Sequence, residues 1–222
     1  MPARKVAVIG GTGDEGFGLA TRWARAGIEV VIGSRDEGRA SAAAERLAAI
    51  APDATISGMD NAAAAASSEL VMVTVPFAGQ ATIYKSIADS IRPDSIVIDG
   101  TVPVAASVGA KVTHTLGVWE GSAAQQAAAI LPKGTRTCAA FHSLAAAALN
   151  DLDYEMEGDV LVCGPKSAKP AVQALVQAIP GLRFVDAGPL ENARLVEPIT
   201  ALLIGINHRY HTDRSGIRIT GI

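Results

Sequence analysis

Short runs of valine, isoleucine and leucine recur along the chain, separated by longer alanine-rich stretches. This is the alternation expected of parallel strands joined by crossover helices. The first run, Lys5-Val6-Ala7-Val8-Ile9, leads through glycines into a helix predicted to reach Ala26. Further strands are predicted over Ile28 to Gly33, Thr55 to Ser57, Glu69 to Val75, Ser95 to Ile98 and Thr137 to Phe141. The fourth is nearly continuous in valine and methionine, as a strand covered on both faces should be. Helices fall between them at Ala40 to Ala51, Asn61 to Ser67, Gly79 to Ser90 and Ser122 to Leu131. Beyond Phe141 the alternation weakens to a short helix (Leu144 to Leu149), a strand (Asp159 to Cys163), a helix (Ser167 to Ile179) and a strand (Arg183 to Val185). A last helix from Leu190 to Arg209 then ends in a basic tail. The pattern predicts an α/β protein of Rossmann type, a doubly wound and mostly parallel sheet with a small C-terminal helical extension. Residues 1–141 would form the main domain, and residues 142–222 a smaller one that extends the sheet.

The loop after the first strand sharpens this expectation. Gly11-Thr12-Gly13-Asp14-Glu15-Gly16 is a G-x-G-x-x-G sequence between a strand and a helix. Gly11 permits the sharp turn, Gly13 lets backbone approach a pyrophosphate, and Gly16 lets the helix pack close to the sheet. The helix N-terminus then faces the phosphates. At the end of the second strand, where an NAD-specific site places an acid about 20 residues beyond the glycines, the chain has Ser34-Arg35 with Arg39 one turn later. A hydroxyl beside two guanidiniums suits a 2′-phosphate, so NADP(H) is the expected dinucleotide. The competing account makes Arg35 and Arg39 solvated partners of Asp36 and Glu37. Asp36 itself lies two residues late for the NAD-type acid.

Composition narrows the field. With 222 residues, 49% of them hydrophobic, the chain can bury a full core. No window approaches the about 18 uncharged apolar residues that cross a bilayer, and the first strand begins too soon for a signal peptide to precede it. A net charge of −3 argues against nucleic acid as a partner. Cys138 and Cys163 have no metal-ligand spacing and are expected as buried free thiols of a cytoplasmic protein.

Ligands of such sheets bind beyond the strand carboxyl ends. The ends here are Thr74-Val75-Pro76-Phe77, Asp99-Gly100-Thr101-Val102-Pro103-Val104 and Phe141-His142-Ser143. They predict an apolar pocket for a flat ring, with no paired carboxylates, no Ser/His/Asp arrangement and no lysine, so that positioning would matter more than acid or base chemistry. His142 could contact a ring or cap local backbone. His208, His211 and Asp213 lack a fourth ligand, and no metal is expected. Arg209, Arg214 and Arg218 could form a basic rim, an oligomer contact or a solvated surface. Arg194 and Glu197 are expected as a helix pair, and Tyr84 and Trp119 as packing residues. The apolar stretch Ile199 to Ile206 suggests a homodimer.

The chain also resembles the NADPH-dependent reductases of coenzyme F420, an 8-hydroxy-5-deazaflavin. The matching pieces include Gly10-Gly11-Thr12-Gly13, Gly33-Ser34-Arg35, Val75-Pro76-Phe77, Val102-Pro103-Val104, Phe141-His142-Ser143, Val162-Cys163-Gly164 and Asp186-Ala187-Gly188-Pro189-Leu190. The resemblance implies reversible hydride transfer between NADP(H) and the deazaflavin. It places Thr12, Ser34, Arg35 and Arg39 on the 2′-phosphate side, the Val102-Pro103-Val104 loop and the region of His142 and Ser143 against the deazaflavin, and Val75 and Pro76 among the cofactor-binding residues, with the C-terminal part closing the deazaflavin pocket. Asp14 and Glu15 depart from the neutral or basic residues of the family, and two carboxylates beside a pyrophosphate weaken its binding unless they point outward. Other expectations left open are NADPH-dependent reduction of an imine, hydroxy acid or ferric complex, and an NADP-sensing module without turnover.

Overall fold

A computed structural model describes residues 5–222 and contains the expected alternation. The first half comprises β1 (Lys5–Ile9), α1 (Asp14–Arg25), β2 (Glu29–Ser34), α2 (Glu37–Ile50), β3 (Ile56–Asp60), α3 (Asn61–Ala66), β4 (Leu70–Val73), α4 (Phe77–Ile87) and β5 (Ile96–Asp99). After a long loop follow α5 (Ala123–Ile130), β6 (Arg136–Ala139) and α6 (Ala146–Asn150). The chain continues through β7 (Gly158–Val162), α7 (Lys169–Gln177), β8 (Leu182–Asp186), α8 (Ala193–Val196) and α9 (Ile199–Tyr210).

Six strands form one parallel sheet in the order β3-β2-β1-β4-β5-β6, so strand order reverses between β1 and β4. That reversal opens the crevice into which the glycine loop and the ends of β4 and β5 project. The central strands are buried from Val6 onward in β1 and along all of β4 and β5, which explains their apolar runs Val6–Ile9, Leu70–Val73 and Ile96–Ile98. Polar side chains start the helices: Asp36 accepts the Arg39 amide at 3.0 Å, and Asp60 accepts those of Ala62 and Ala63 at 2.8 and 3.0 Å.

Two expectations need correction. The C-terminal strands do not extend the main sheet as regular neighbours. β7 and β8 pair with each other as a separate two-stranded parallel sheet, joined to β6 by a single antiparallel bridge, Ala139 to Cys163. Close approach there is possible because Gly164 has no side chain: a Cβ would lie 2.5 Å from Cys138 Sγ. The last helix is also broken. A short turn over Leu190–Asn192 and α8 precede α9, since Pro198 has no amide proton with which to continue the ladder.

The main sheet and the C-terminal part nevertheless share one apolar core, running from Val6 and Trp23 to Val160 and Leu175. The Trp23 indole donates to the Leu175 carbonyl at 2.9 Å and stands edge-on to Phe141, 5.5 Å between ring centres. Arg22 donates to the carbonyls of Ala148, Leu149, Asp151 and Tyr154, closing the C-terminal end of α6. These contacts hold the loop after β6 over the crevice.

Candidate active site

The glycine loop shapes the floor of the crevice. Gly10 takes the left-handed conformation (φ 84°), and the Gly13 amide donates to its carbonyl at 3.0 Å. A Cβ on Gly16 would lie 2.7 Å from the Gly10 carbonyl oxygen and 2.4 Å from Thr74 Oγ1, so only glycine lets α1 begin so near the strand ends.

To one side lies a groove of 430 Å³ bordered by Thr12, Gly13, Ser34, Arg35, Arg39 and Asn61. The Ser34 hydroxyl is buried and accepts the Asp36 amide at 3.3 Å. Asp36 spends its carboxylate capping α2, and among the described residues neither Arg35 nor Arg39 forms an ion pair. Both guanidiniums are exposed and free for an anionic ligand, which disfavours the pairing with Asp36 and Glu37.

The groove continues past Gly13, Thr74, Val75 and Pro76, shared by both spaces, into a deeper pocket of 610 Å³. Val102 and Val104 supply one wall, His142, Ser143 and Leu144 another, and Leu203 and Ile204 of α9 a third. Among the described residues, no lysine or arginine lines it. Asp14 and Glu15 sit at its edge on the first turn of α1. Gly11 and Pro103 stand behind the lining. Gly11 packs on Ile32 and Val8, while the Pro103 carbonyl accepts the Leu116 amide at 2.7 Å and fixes the long loop. Thr74, Phe77, Thr101 and Thr200 join the pocket although no periodicity marked them. Their place follows from the strand-end rule and from α9 folding back.

His142 is buried, its Nε2 has no partner, and burial pushes its imidazole down to about 4, so it is neutral near pH 7. Its backbone carbonyl accepts the Thr200 hydroxyl at 2.8 Å, tying the pocket wall to α9.

Beside the pocket lie three acids, two of them buried, whose surroundings the sequence-based expectation did not foresee. Asp99, at the end of β5, accepts the Thr101 amide at 2.6 Å and the Gln80 side-chain amide. Burial raises it to about 6. Glu197 is not the helix partner expected for Arg194. It is buried and accepts the Ala123 and Ala124 amides at 2.8 and 3.0 Å, capping α5 from a distant part of the chain, and burial raises it to about 7. Glu15 is raised to about 8, first by burial and then by the negative charge of Asp99. Asp99 is buried behind the pocket lining, whereas Glu15, partly exposed, borders the pocket itself.

The remaining expectations divide. Tyr84 is fully buried, whereas Trp119 is 99% exposed and packs on nothing. Both cysteines are buried and free. Arg214 pairs with Asp151 at 2.8 Å and lies over the Tyr154 ring, and Arg218 stands 4.0 Å from Asp159, so of the three tail arginines only Arg209 remains for a basic rim. His208, His211 and Asp213 border a small separate cleft with Asn207. Among the described residues, no helix is long and apolar enough to cross a membrane.

A doubly wound sheet whose switch point carries a glycine loop, an anion groove and a contiguous apolar pocket defines a dinucleotide-binding protein of the Rossmann class. The family described as NADP oxidoreductase coenzyme F420-dependent matches residues 5–103. An F420-dependent NADP reductase of Methanothermobacter thermautotrophicus is 44% identical over 222 residues, covering 98% of this chain and 95% of that protein. One from Methanocaldococcus jannaschii is 37% identical over 223 residues, covering 98% and 99%. The chain belongs to this family. A crystal structure from Arthrobacter sp., provisionally assigned as an F420-dependent NADP-reductase, shares the fold with a TM-score of 0.81 at 23% identity, covering 97% of this chain and 99% of that one.

Proposed function

We propose that this chain is an NADP-dependent oxidoreductase that transfers a hydride reversibly between NADP(H) and coenzyme F420. The observation that carries the proposal is the continuity of a groove holding two unpaired guanidiniums with an apolar pocket free of basic side chains, in a member of this family. The nicotinamide supplies or takes the hydride, and the deazaflavin, with carbon in place of the central flavin nitrogen, exchanges it without one-electron chemistry.

Ser34, Arg35 and Arg39 would hold the 2′-phosphate as a compact donor set, with Thr12 beside them. Gly13 and the first amides of α1, at Asp14 and Glu15, would receive the pyrophosphate, with Gly11 setting the turn. Val75, Pro76 and Val102 offer apolar surface to stacked rings, His142 and Ser143 polar edges, and Pro103 holds the Val102 wall in place. The work of these residues is to bring two reacting carbons to roughly 3–3.5 Å and to exclude water. No side chain acts as a nucleophile.

Residues 1–141 would carry the NADP site and residues 142–222 close the deazaflavin pocket, as the packing of Trp23 on Phe141 supports. We further propose a cytoplasmic homodimer. Two free buried thiols suit a reducing compartment, and Leu195 and Leu202, 63% and 62% exposed, suit a covered face.

The deciding experiment follows absorbance at the deazaflavin band on mixing the protein with NADPH and coenzyme F420, with NADH and FMN as parallel controls. Bleaching with NADPH and F420 that is slow or absent with either control is expected. Bound NADPH without bleaching would refute the acceptor.

A further inference from the structure

Glu15 occupies a position where a charge is poorly tolerated. It stands on the first turn of α1, at the wall of the pocket and next to the glycine that pocket and groove share. The residue is partly exposed, but its Oε1 is buried and has no hydrogen-bond partner among the described residues. Asp14 beside it is exposed at the pocket edge, and its backbone carbonyl accepts from Asn150 at 2.8 Å.

The groups around Glu15 decide which state it keeps. Asp99, on the end of β5, holds both oxygens against donors, the Thr101 amide and the Gln80 side-chain amide. The Gln80 nitrogen that serves Asp99 also donates to the Ala123 carbonyl at 3.0 Å. Glu197, the acid beyond Asp99, is itself held by two amides. His142, from the loop after β6, is neutral, and among the described residues no lysine or arginine lines the pocket. Of two acids of which one feels the charge of the other, the one supplied with donors keeps the charge, and the one without a donor keeps the proton. The amides and dipole at the start of α1 favour a single anion, and a pyrophosphate there would be repelled by a second one.

We propose that Glu15 enters the dinucleotide site as an uncharged acid whose hydroxyl donates a hydrogen bond to a ligand phosphate oxygen, so that NADP binding takes up a proton wherever Glu15 is ionised in the free protein. The proposal rests on the assignment of the groove to NADP. It turns the acidic departure within the glycine loop into a pH-dependent donor. An ionised Glu15 weakens binding and a protonated one strengthens it.

Calorimetric titration of NADP+ into the full chain between pH 7 and 9.5, in buffers of differing ionisation enthalpy, reads the proton directly and without turnover. The wild-type protein should take up close to one proton per bound NADP+ at the alkaline end. Its Kd should rise by up to about tenfold per pH unit above about 8. The Glu15→Gln protein should take up none, show a flat Kd, and bind more tightly than wild type at pH 9.5. A wild-type protein that binds NADP+ with no proton uptake and a flat Kd overturns the inference and leaves the NADP site standing, as does a Glu15→Gln protein that retains the wild-type uptake. If the wild-type protein binds no NADP+ at pH 7, the site assignment and the inference fall together.

Discussion

Arg35 is notable for what it does not touch. Asp36, the nearest carboxylate in sequence, is committed to capping α2, so at the proposed site the guanidinium would meet a ligand phosphate without first breaking an ion pair. Arg35→Ala should therefore raise the KM for NADPH by roughly 10- to 100-fold with kcat nearly unchanged, measured by steady-state kinetics. A collapse of kcat at saturating NADPH would assign Arg35 another role. The buried titratable groups set a second residue-scale outcome. Asp99, Glu197 and Glu15 are raised from ordinary values of 3.8, 4.5 and 4.5 to about 6, 7 and 8. The folded state binds protons more tightly there, so their contribution is complete at low pH and is lost as pH rises through those folded values. His142, lowered from 6.5 to about 4, acts in the opposite sense, adding stability as pH rises between those values and nothing above them. Three acids outweigh one histidine, and above pH 6.5 only Glu15 and Glu197 continue to titrate. The thermal midpoint should fall from pH 5 to pH 8 in scanning fluorimetry, and Glu15→Gln should flatten the segment from pH 7 to 8. A midpoint that climbs across that range would contradict the assignment.

At the scale of elements, the site depends on helices begun by residues near and far. α2 and α3 are capped by the aspartates directly before them, a signal written in adjacent residues. α5 is capped locally by Ser122, whose hydroxyl accepts the Gln125 amide at 3.1 Å, and also by Glu197, whose carboxylate takes the two amides Ser122 leaves. Glu197→Ala should destabilise the protein by about 1–3 kcal/mol in denaturant melts, because it strands two buried amide donors. It should disturb α5 and the start of α9 together. A change within a few tenths of a kcal/mol would show that the carboxylate holds neither. Most strands were legible to within a residue or two because burial on both faces leaves a continuous apolar run, whereas the only partly buried β3 runs to Asp60, three residues past its expected end. The long last helix was misjudged, since Pro198 interrupts a pattern whose apolar content continues on both sides.

For the whole molecule, the pocket exists because α9 and the loop after β6 return over the crevice, held by Arg22, Trp23 and the Thr200 hydroxyl. The outer side of this lid carries Leu195 and Leu202. Light scattering should return the mass of a dimer, and Leu202→Arg should shift it toward the monomer. A wild-type monomer mass would remove the homodimer. The same long-range return explains the uneven legibility of the site. Ser34, Arg35, Arg39 and the glycine loop could be read as a unit because a βα turn brings neighbours in sequence together in space. Val75, Pro76, Val102, His142 and Ser143 could be inferred because strand carboxyl ends gather at one edge.

The sequence by itself therefore determined the alternation of elements, the nucleotide loop and the character of the anion groove, all of which follow from local spacing and from the period of apolar residues. The tertiary structure alone decided that Glu15 borders the pocket with a buried, unpaired carboxyl oxygen, that Glu197 serves a helix about 70 residues earlier instead of Arg194, and that β7 and β8 form their own sheet. Charge states at this site are set by burial and by donors from distant segments. Those quantities have no period along the chain, so they come into being only when the chain folds.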